Sequence, residues 1–275
     1  MRLHRAITAL AAFVALAACE ENAVQDIAGP TSPAGIRFQN FGINAPQVHL
    51  YSGAEKVTAN SSTSCQAAAN PPRTATDSLC HTLGIEASAG IAYGSVAAGN
   101  RYVGIEPGQH TFDARIMTAT DKGTTIASVP VTVQAGKLYS YYVSGLYNTT
   151  TKKADGFVVE DVFPRFDYDA AHVRFVNASF NAPAFAMSLI DIATGQVIPL
   201  GSTAIGYKGA SEFVRVPAAG YRVVVRLPGT TTDAVVASNI GLERGVVYTI
   251  SLRGDLTVTS ATAANRPILE VWTNR

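Results

Sequence analysis

Three cysteines, five histidines and a loose trio of aspartates are the side chains of this 275-residue chain with chemistry to offer. Cys65 and Cys80 lie fifteen residues apart in a Ser/Thr/Ala/Asn/Pro-rich stretch that carries no catalytic signature. In an exported chain, two such thiols are expected to form a disulfide, worth about 3 kcal/mol of loop-closure entropy. Asp161, Asp167 and Asp169 could together offer oxygens to a hard cation such as Ca²⁺. Arg165 sits among them, so they are the weak candidate and no metal is assigned. Of the histidines, His4 precedes an apolar run, and His49 and His110 fall in strand-like patterns that suit structural roles. His81 and His172 complete the set. No His-x-x-x-His, Cys-x-x-Cys or Gly-x-Ser-x-Gly is present, so neither a zinc site nor a hydrolase elbow is nominated. The expectation is a non-enzyme with no cofactor, a hydrolase being the remote alternative.

The third thiol, Cys19, closes the N-terminal segment. Residues 1–5 hold two arginines and a histidine, and residues 6–18 are apolar except for Thr8. Thirteen helical residues cover about 20 Å, short of a bilayer's roughly 30 Å core, so this is a secretory signal and not a span. Leu16-Ala17-Ala18-Cys19 resembles a bacterial lipobox. That resemblance implies cleavage after residue 18 and a diacylglycerol on the Cys19 thiol. Residues 1–18 are then the signal peptide. Residues 19–33, small, polar and Gly/Pro-bearing, read as a flexible tether. Glu20 and Glu21 resemble the acidic signals that send some lipoproteins to the cell surface. A membrane-anchored envelope protein, periplasmic or cell-surface, is expected.

Charged residues make up 15% of the chain and the formal net charge is +1, so there is no basic field for nucleic acid. Thr, Val, Tyr, Ala and Gly dominate in short alternating runs broken by Gly, Pro and Asn, the pattern of an all-β protein.

The chain also repeats itself. "IRFQNFGINAP" (36–46) returns as "VRFVNASFNAP" (173–183), with six of eleven positions identical. "HTFDARI" (110–116) aligns with "YRVVVRL" (221–227), "GKLYSYYVSG" (136–145) with "GVVYTISLRG" (245–254), and "FVVEDV" (157–162) with "PILEVW" (267–272). The last alignment pairs Glu160 with Glu270. Order is kept and only loop lengths change, which is the mark of duplication. Two immunoglobulin-like β-sandwiches of six to eight short strands each are expected, over 34–163 and 171–275. Alternation places Ile36 and Phe38 on one face and Arg37 and Gln39 on the other, predicting a sheet packed on one side only. The same alternation turns Tyr139 and Tyr141 inward and Tyr142 outward. Tyr139 and Tyr248, each three residues after a glycine, suit tyrosine corners. Asn40 and Asn44, with their counterparts Asn177 and Asn181, are expected to satisfy backbone groups in a strand-to-strand corner. The first copy holds about 23 extra residues within 53–90, read as a loop and as the first place to seek a recognition surface.

"VRFVNASFNAP", a following Gly-Tyr strand and "GVVYTISLRG" together resemble the bacterial domain-of-unknown-function 4397 family. The likeness is better in the second copy; Asn181 stands where that family commonly has Asp, and Phe180 where it has Pro. The resemblance implies an extracytoplasmic β-sandwich, often on lipoproteins and often in tandem, and carries over no catalytic residue. The functional expectation is a lipid-anchored binding or structural module of unknown ligand. The alternative is a carbohydrate- or peptide-binding adhesin-like protein. Expected partners are the membrane, through the lipid, and a cell-envelope protein or glycan.

Overall fold

Alternating Val, Phe, Tyr and Ile residues, punctuated by Gly and Asn at positive φ, build an all-β protein. The computed structural model describes residues 34–60, 85–86 and 90–274, all within one compact unit, Pro33–Arg275. The calls at Cys19, Cys65, Cys80 and His81, the signal peptide and the tether lie outside the described residues.

The first sandwich comprises β1 (Ala34–Asn40), β2 (Val48–Ser52), β3 (Glu55–Lys56), β4 (Ala59–Asn60), β5 (Ile85–Glu86), β6 (Ser95–Val96), β7 (Val103–Ile105), β8 (Gly108–Ile116), β9 (Thr125–Val133), β10 (Leu138–Asn148) and β11 (Lys153–Glu160). The second comprises β12 (Ala171–Asn177), β13 (Ala186–Asp191), β14 (Val197–Pro199), β15 (Val214–Val216), β16 (Ala219–Arg226), β17 (Val235–Leu242), β18 (Val247–Arg253) and β19 (Ile268–Thr273). One sheet of the first sandwich has the order β11-β10-β1, with β6 and β7 on the far side of β1; the other is β3-β2-β8-β9. The second sandwich repeats this connectivity as β15-β12-β18-β19 and β14-β13-β16-β17. In each, the opening strand pairs in parallel with a late one. Ile36 faces Tyr139 and Phe38 faces Tyr141 in the first; Val173 faces Tyr248 and Phe175 faces Ile250 in the second.

Each sandwich has its own core. Ile36, Phe38, Leu50, Phe112 and Tyr141 lead the first, and Val173, Phe175, Met187, Leu189 and Tyr221 the second. Such side chains each contribute about 1.5–3 kcal/mol on burial.

The corners repeat atom for atom. Asn40 donates from Nδ2 to the Ile91 carbonyl (2.9 Å) and accepts from Gly42 N–H (3.2 Å); Asn177 donates to the Ile205 carbonyl (3.0 Å) and accepts from Ser179 N–H (3.2 Å). Both tyrosine corners close: the Tyr139 hydroxyl accepts from Gln134 N–H and the Tyr248 hydroxyl from Glu243 N–H, each at 3.1 Å. The second asparagines differ. Asn44 takes a positive φ of 58° in the turn, whereas Asn181 donates to Asp255 (2.7 Å) and accepts from Leu256 N–H (3.1 Å), tying the corner to the β18–β19 loop.

Three expectations need correction. The first concerns the sheet faces: β1 is buried along its whole length, and so is β18. The faces bearing Arg37 and Arg174 are covered by the opposite sandwich and not by water. The second concerns register in the last strand. Tyr139 pairs with Glu160, but Tyr248 pairs with Thr273. Glu160 therefore corresponds to Thr273, and Glu270, which pairs with Ser251, corresponds to Phe157 opposite Tyr142. The sequence match of the two glutamates was a three-residue slip. The third concerns the extra segment of the first copy, which is not loop throughout. Among its described residues, β3 pairs with β2, and β4 pairs with β5 through Ala59–Glu86 and Asn60–Ile85.

Candidate functional site

The two sandwiches meet through the sheets that carry the repeated Arg-Phe phrase. Strand alternation sends Phe38 and Phe175 into the separate cores, so Arg37 and Arg174 must point into the junction. Both arginines are about 1% exposed. One carboxylate, Asp161, serves both: it is ion-paired with the Arg174 guanidinium and lies 3.7 Å from Arg37 Nε. Arg37 Nε donates to Ser140 Oγ (2.6 Å), and Ser140 Oγ and the Tyr102 hydroxyl donate to Asp161 Oδ2 (2.6 and 2.5 Å). On the other side, Arg174 Nε donates to Thr249 Oγ1 (3.0 Å) and Nη1 to the Glu160 carbonyl (3.2 Å).

The node is itself duplicated. Ser140 and Thr249 face Arg37 and Arg174 at equivalent ladder positions. The Arg37 guanidinium lies over Tyr102 at 5.0 Å, and that of Arg174 over Phe213 at 4.8 Å. Tyr102 precedes Val103, the partner of Ile36; Phe213 precedes Val214, the partner of Val173. In the corrected register Asp161 corresponds to Asn274: Asp161 N–H donates to the Leu138 carbonyl, and Asn274 N–H to the Val247 carbonyl, both at 2.7 Å. The repeat thus supplies two cations and a single anion. Sequence reasoning missed the aromatic partners, although "RYV" (101–103) and "EFV" (212–214) stand at the same offset of 111 as His110 and Tyr221.

Beyond the node, Phe41, Tyr142 and Phe157 pack with Val176, Ala178 and Trp272. Tyr142, expected at the surface, is fully buried and stacks on Phe157 with ring centroids 4.8 Å apart. At the rim, the Tyr207 hydroxyl meets Ser144 Oγ (2.7 Å) and donates to Asp155 (2.9 Å).

Burial, and then the adjacent Asp161 carboxylate, hold the Tyr102 hydroxyl protonated well above the ordinary tyrosine range. Unfolding releases it to ionise near pH 10. The contribution of Tyr102 to stability is therefore complete below about pH 10 and is lost as pH rises further, because the unfolded chain then binds fewer protons than the folded one. Tyr102→Phe is expected to flatten the alkaline limb of stability against pH, measured by urea unfolding from neutral to strongly alkaline pH. An unchanged limb would show that Tyr102 is not the group responsible.

A cleft of about 440 Å³ opens beside the node, lined by Val162, Phe163, Arg174, Ser211, Glu212 and Phe213. Phe163 packs against both Tyr102 (6.2 Å between centroids) and Phe213 (5.6 Å).

The aspartate trio does not converge. Asp161 is consumed in the node. Asp167 accepts from Arg215 Nε (2.6 Å) and Asp169 N–H (2.9 Å), and the Arg215 bond, with help from the backbone bond, lowers its pKa. Among the described residues no group of three metal-ligating side chains gathers, so the Ca²⁺ candidate is not assembled. His49 Nδ1 bonds Thr58 Oγ1 at 2.8 Å. His110 bonds Ser52 Oγ and the Glu106 carbonyl, both at 2.8 Å, and its counterpart Tyr221 likewise donates to the carbonyl four residues upstream, that of Pro217, at 2.8 Å.

The family model described as "Domain of unknown function (DUF4397)" matches residues 34–188, all of the first sandwich and the opening of the second. The match falls mainly on the first copy. No curated protein matches the chain. Among solved structures, a Bacteroides ovatus protein provisionally described as a cell adhesion protein aligns at 12% identity, covering 88% of this chain and 96% of that one, with a TM-score of 0.21. A Bacteroides fragilis protein with the same provisional description aligns at 7% identity, covering 88% and 97%, with a TM-score of 0.22.

Proposed function

The chain belongs to the DUF4397 family, and from that premise we propose that it is a lipid-anchored extracytoplasmic module that binds or braces and does not catalyse. One observation carries this reading: the polar residues of the repeat are spent on holding two sandwiches together. Arg37, Asp161 and Arg174 are buried at their junction, and Asp167 and His110 are committed to neighbouring groups. What is left for recognition is loop and rim. The segment 53–90 includes the β4–β5 pair, and the cleft at Phe163 and Phe213 offers aromatic rings beside an arginine, suiting a peptide or glycan of the cell envelope.

The test is a screen of the full chain against glycans and immobilised envelope proteins, with deletion of residues 61–84 and Phe213→Ala as controls. Saturable binding lost in either control, with the fold intact, is the expected result. Concentration-dependent turnover of ester, glycoside or peptide substrates would overturn the non-catalytic reading.

The anchor and the bridge complete the proposal. Cys19→Ser is expected to release the protein from membranes and abolish labelling by a fatty-acid analogue; unchanged labelling would refute the anchor. Cys65 and Cys80 are proposed to pair in the exported chain. Peptide mapping of non-reduced protein should recover them as one linked peptide, and two freely alkylated thiols would remove the claim.

A further inference from the structure

The connector between the sandwiches carries an exposure that the fold does not need. Val162, Phe166 and Tyr168 are 68%, 55% and 80% exposed. Among the described residues, Phe166 and Tyr168 are the large aromatic side chains left open to solvent, and they pack edge to face at 4.5 Å. Two touching exposed rings on one connector, with Val162 exposed earlier along it, mark a contact surface.

The place where the chain enters the fold says what covers it. Asp161 N–H bonds the carbonyl of Leu138, which pairs with Gly35, the second residue of β1. The connector thus leaves β11 beside the point where residues 19–33 join β1. Phe166 lies against Gly245, whose N–H bonds the Ala170 carbonyl at the start of β12. β1 and β12 start at this same end. Asp161, bonded at the start of β1, pairs with Arg174 of β12, and at the other end Phe41, just past β1, lies under Arg253, the last residue of β18. The fifteen residues from Cys19 to 33 reach at most about 50 Å when fully extended.

We propose that residues 162–168 form a membrane-contact surface, seating Val162, Phe166 and Tyr168 in the headgroup region of the phospholipid bilayer that holds the Cys19 lipid. The inference rests on the lipid anchor proposed above. Aromatic rings with apolar bodies favour this interface, and a tethered apolar patch adds buried area to an anchor already in place. Arg165 and Asp169, both exposed, flank the rings as groups that headgroups can solvate.

The test uses the full-length lipidated chain in phosphatidylethanolamine–phosphatidylglycerol vesicles with brominated acyl chains. Tyr168→Trp is compared with Leu227→Trp, and the wild-type signal of Trp272 is subtracted from both. Leu227 is exposed and follows β16, which starts near the Val216–Ala171 pair and so ends at the opposite pole. The tryptophan at 168 is expected to shift to the blue and lose emission to bromine, while that at 227 does neither. Vesicle flotation with position 168 unquenched, whether it sits in water or under another protein, would overturn this inference and leave the anchor standing. Failure of the wild-type chain to float would overturn the anchor and this inference with it.

Discussion

Asp161→Asn is expected to cost the fold about 3–5 kcal/mol, the usual penalty for removing one partner of a buried ion pair. The side chains of Asp161 and Arg37 are fully buried and that of Arg174 nearly so. With the carboxylate neutralised, two guanidinium groups would stay out of water with no counter-charge. The substitution also has a natural reference, since Asn274 already occupies the corresponding place in the second sandwich. Two cations against one anion make the effects unequal. Arg174→Met leaves the Arg37–Asp161 pair balanced and is expected to cost less than Asp161→Asn, although it forfeits the bonds to Thr249 and the Glu160 carbonyl. Denaturant unfolding of the three proteins decides. Equal costs for Asp161→Asn and Arg174→Met, or a cost below about 1 kcal/mol for the former, would show that charge balance does not govern the junction.

Tyr142→Ala is expected to cost about 3–5 kcal/mol, as deletion of a buried aromatic ring does. Its ring is held between Phe157 at 4.8 Å and Phe41 at 5.8 Å, where the first sandwich packs on Val176 and Ala178 of the second. Tyr142→Phe should leave stability unchanged or slightly raised, because among the described residues the Tyr142 hydroxyl is buried without a protein hydrogen-bond partner. The pair of substitutions separates ring from hydroxyl. If the alanine variant unfolds at the wild-type denaturant midpoint, the sandwiches do not pack through this cluster.

The corner asparagines were legible through the local half of their bonding, since Asn40 and Asn177 each accept from the N–H two residues on; their bonds to the distant Ile91 and Ile205 carbonyls were not. Tyr139 and Tyr248 were legible for the same reason, each bonding an N–H five residues upstream. Tyr142 was placed outside because alternation distinguishes the two faces of a strand but not what covers either face. The slip between Glu160 and Glu270 has a related cause. Two identical residues in corresponding edge strands outweigh a three-residue difference in connection length, and only the ladder itself fixes register.

The sequence alone determined that the chain is all-β, that one unit occurs twice, and that Ile36, Phe38, Val173 and Phe175 face the cores, since period-two alternation and turn residues are properties of neighbouring positions. It also held the repeated Arg-Phe phrase, but not its purpose. Polar residues such as Arg37, Arg174, Ser140 and Thr249 read as a solvated face until partners arrive from elsewhere. Their hydrogen-bond partners lie 13 to 103 positions away along the chain. The burial of that face is decided by the docking of one sandwich on the other, and by a single Asp161 whose charge makes the burial of two arginines tolerable.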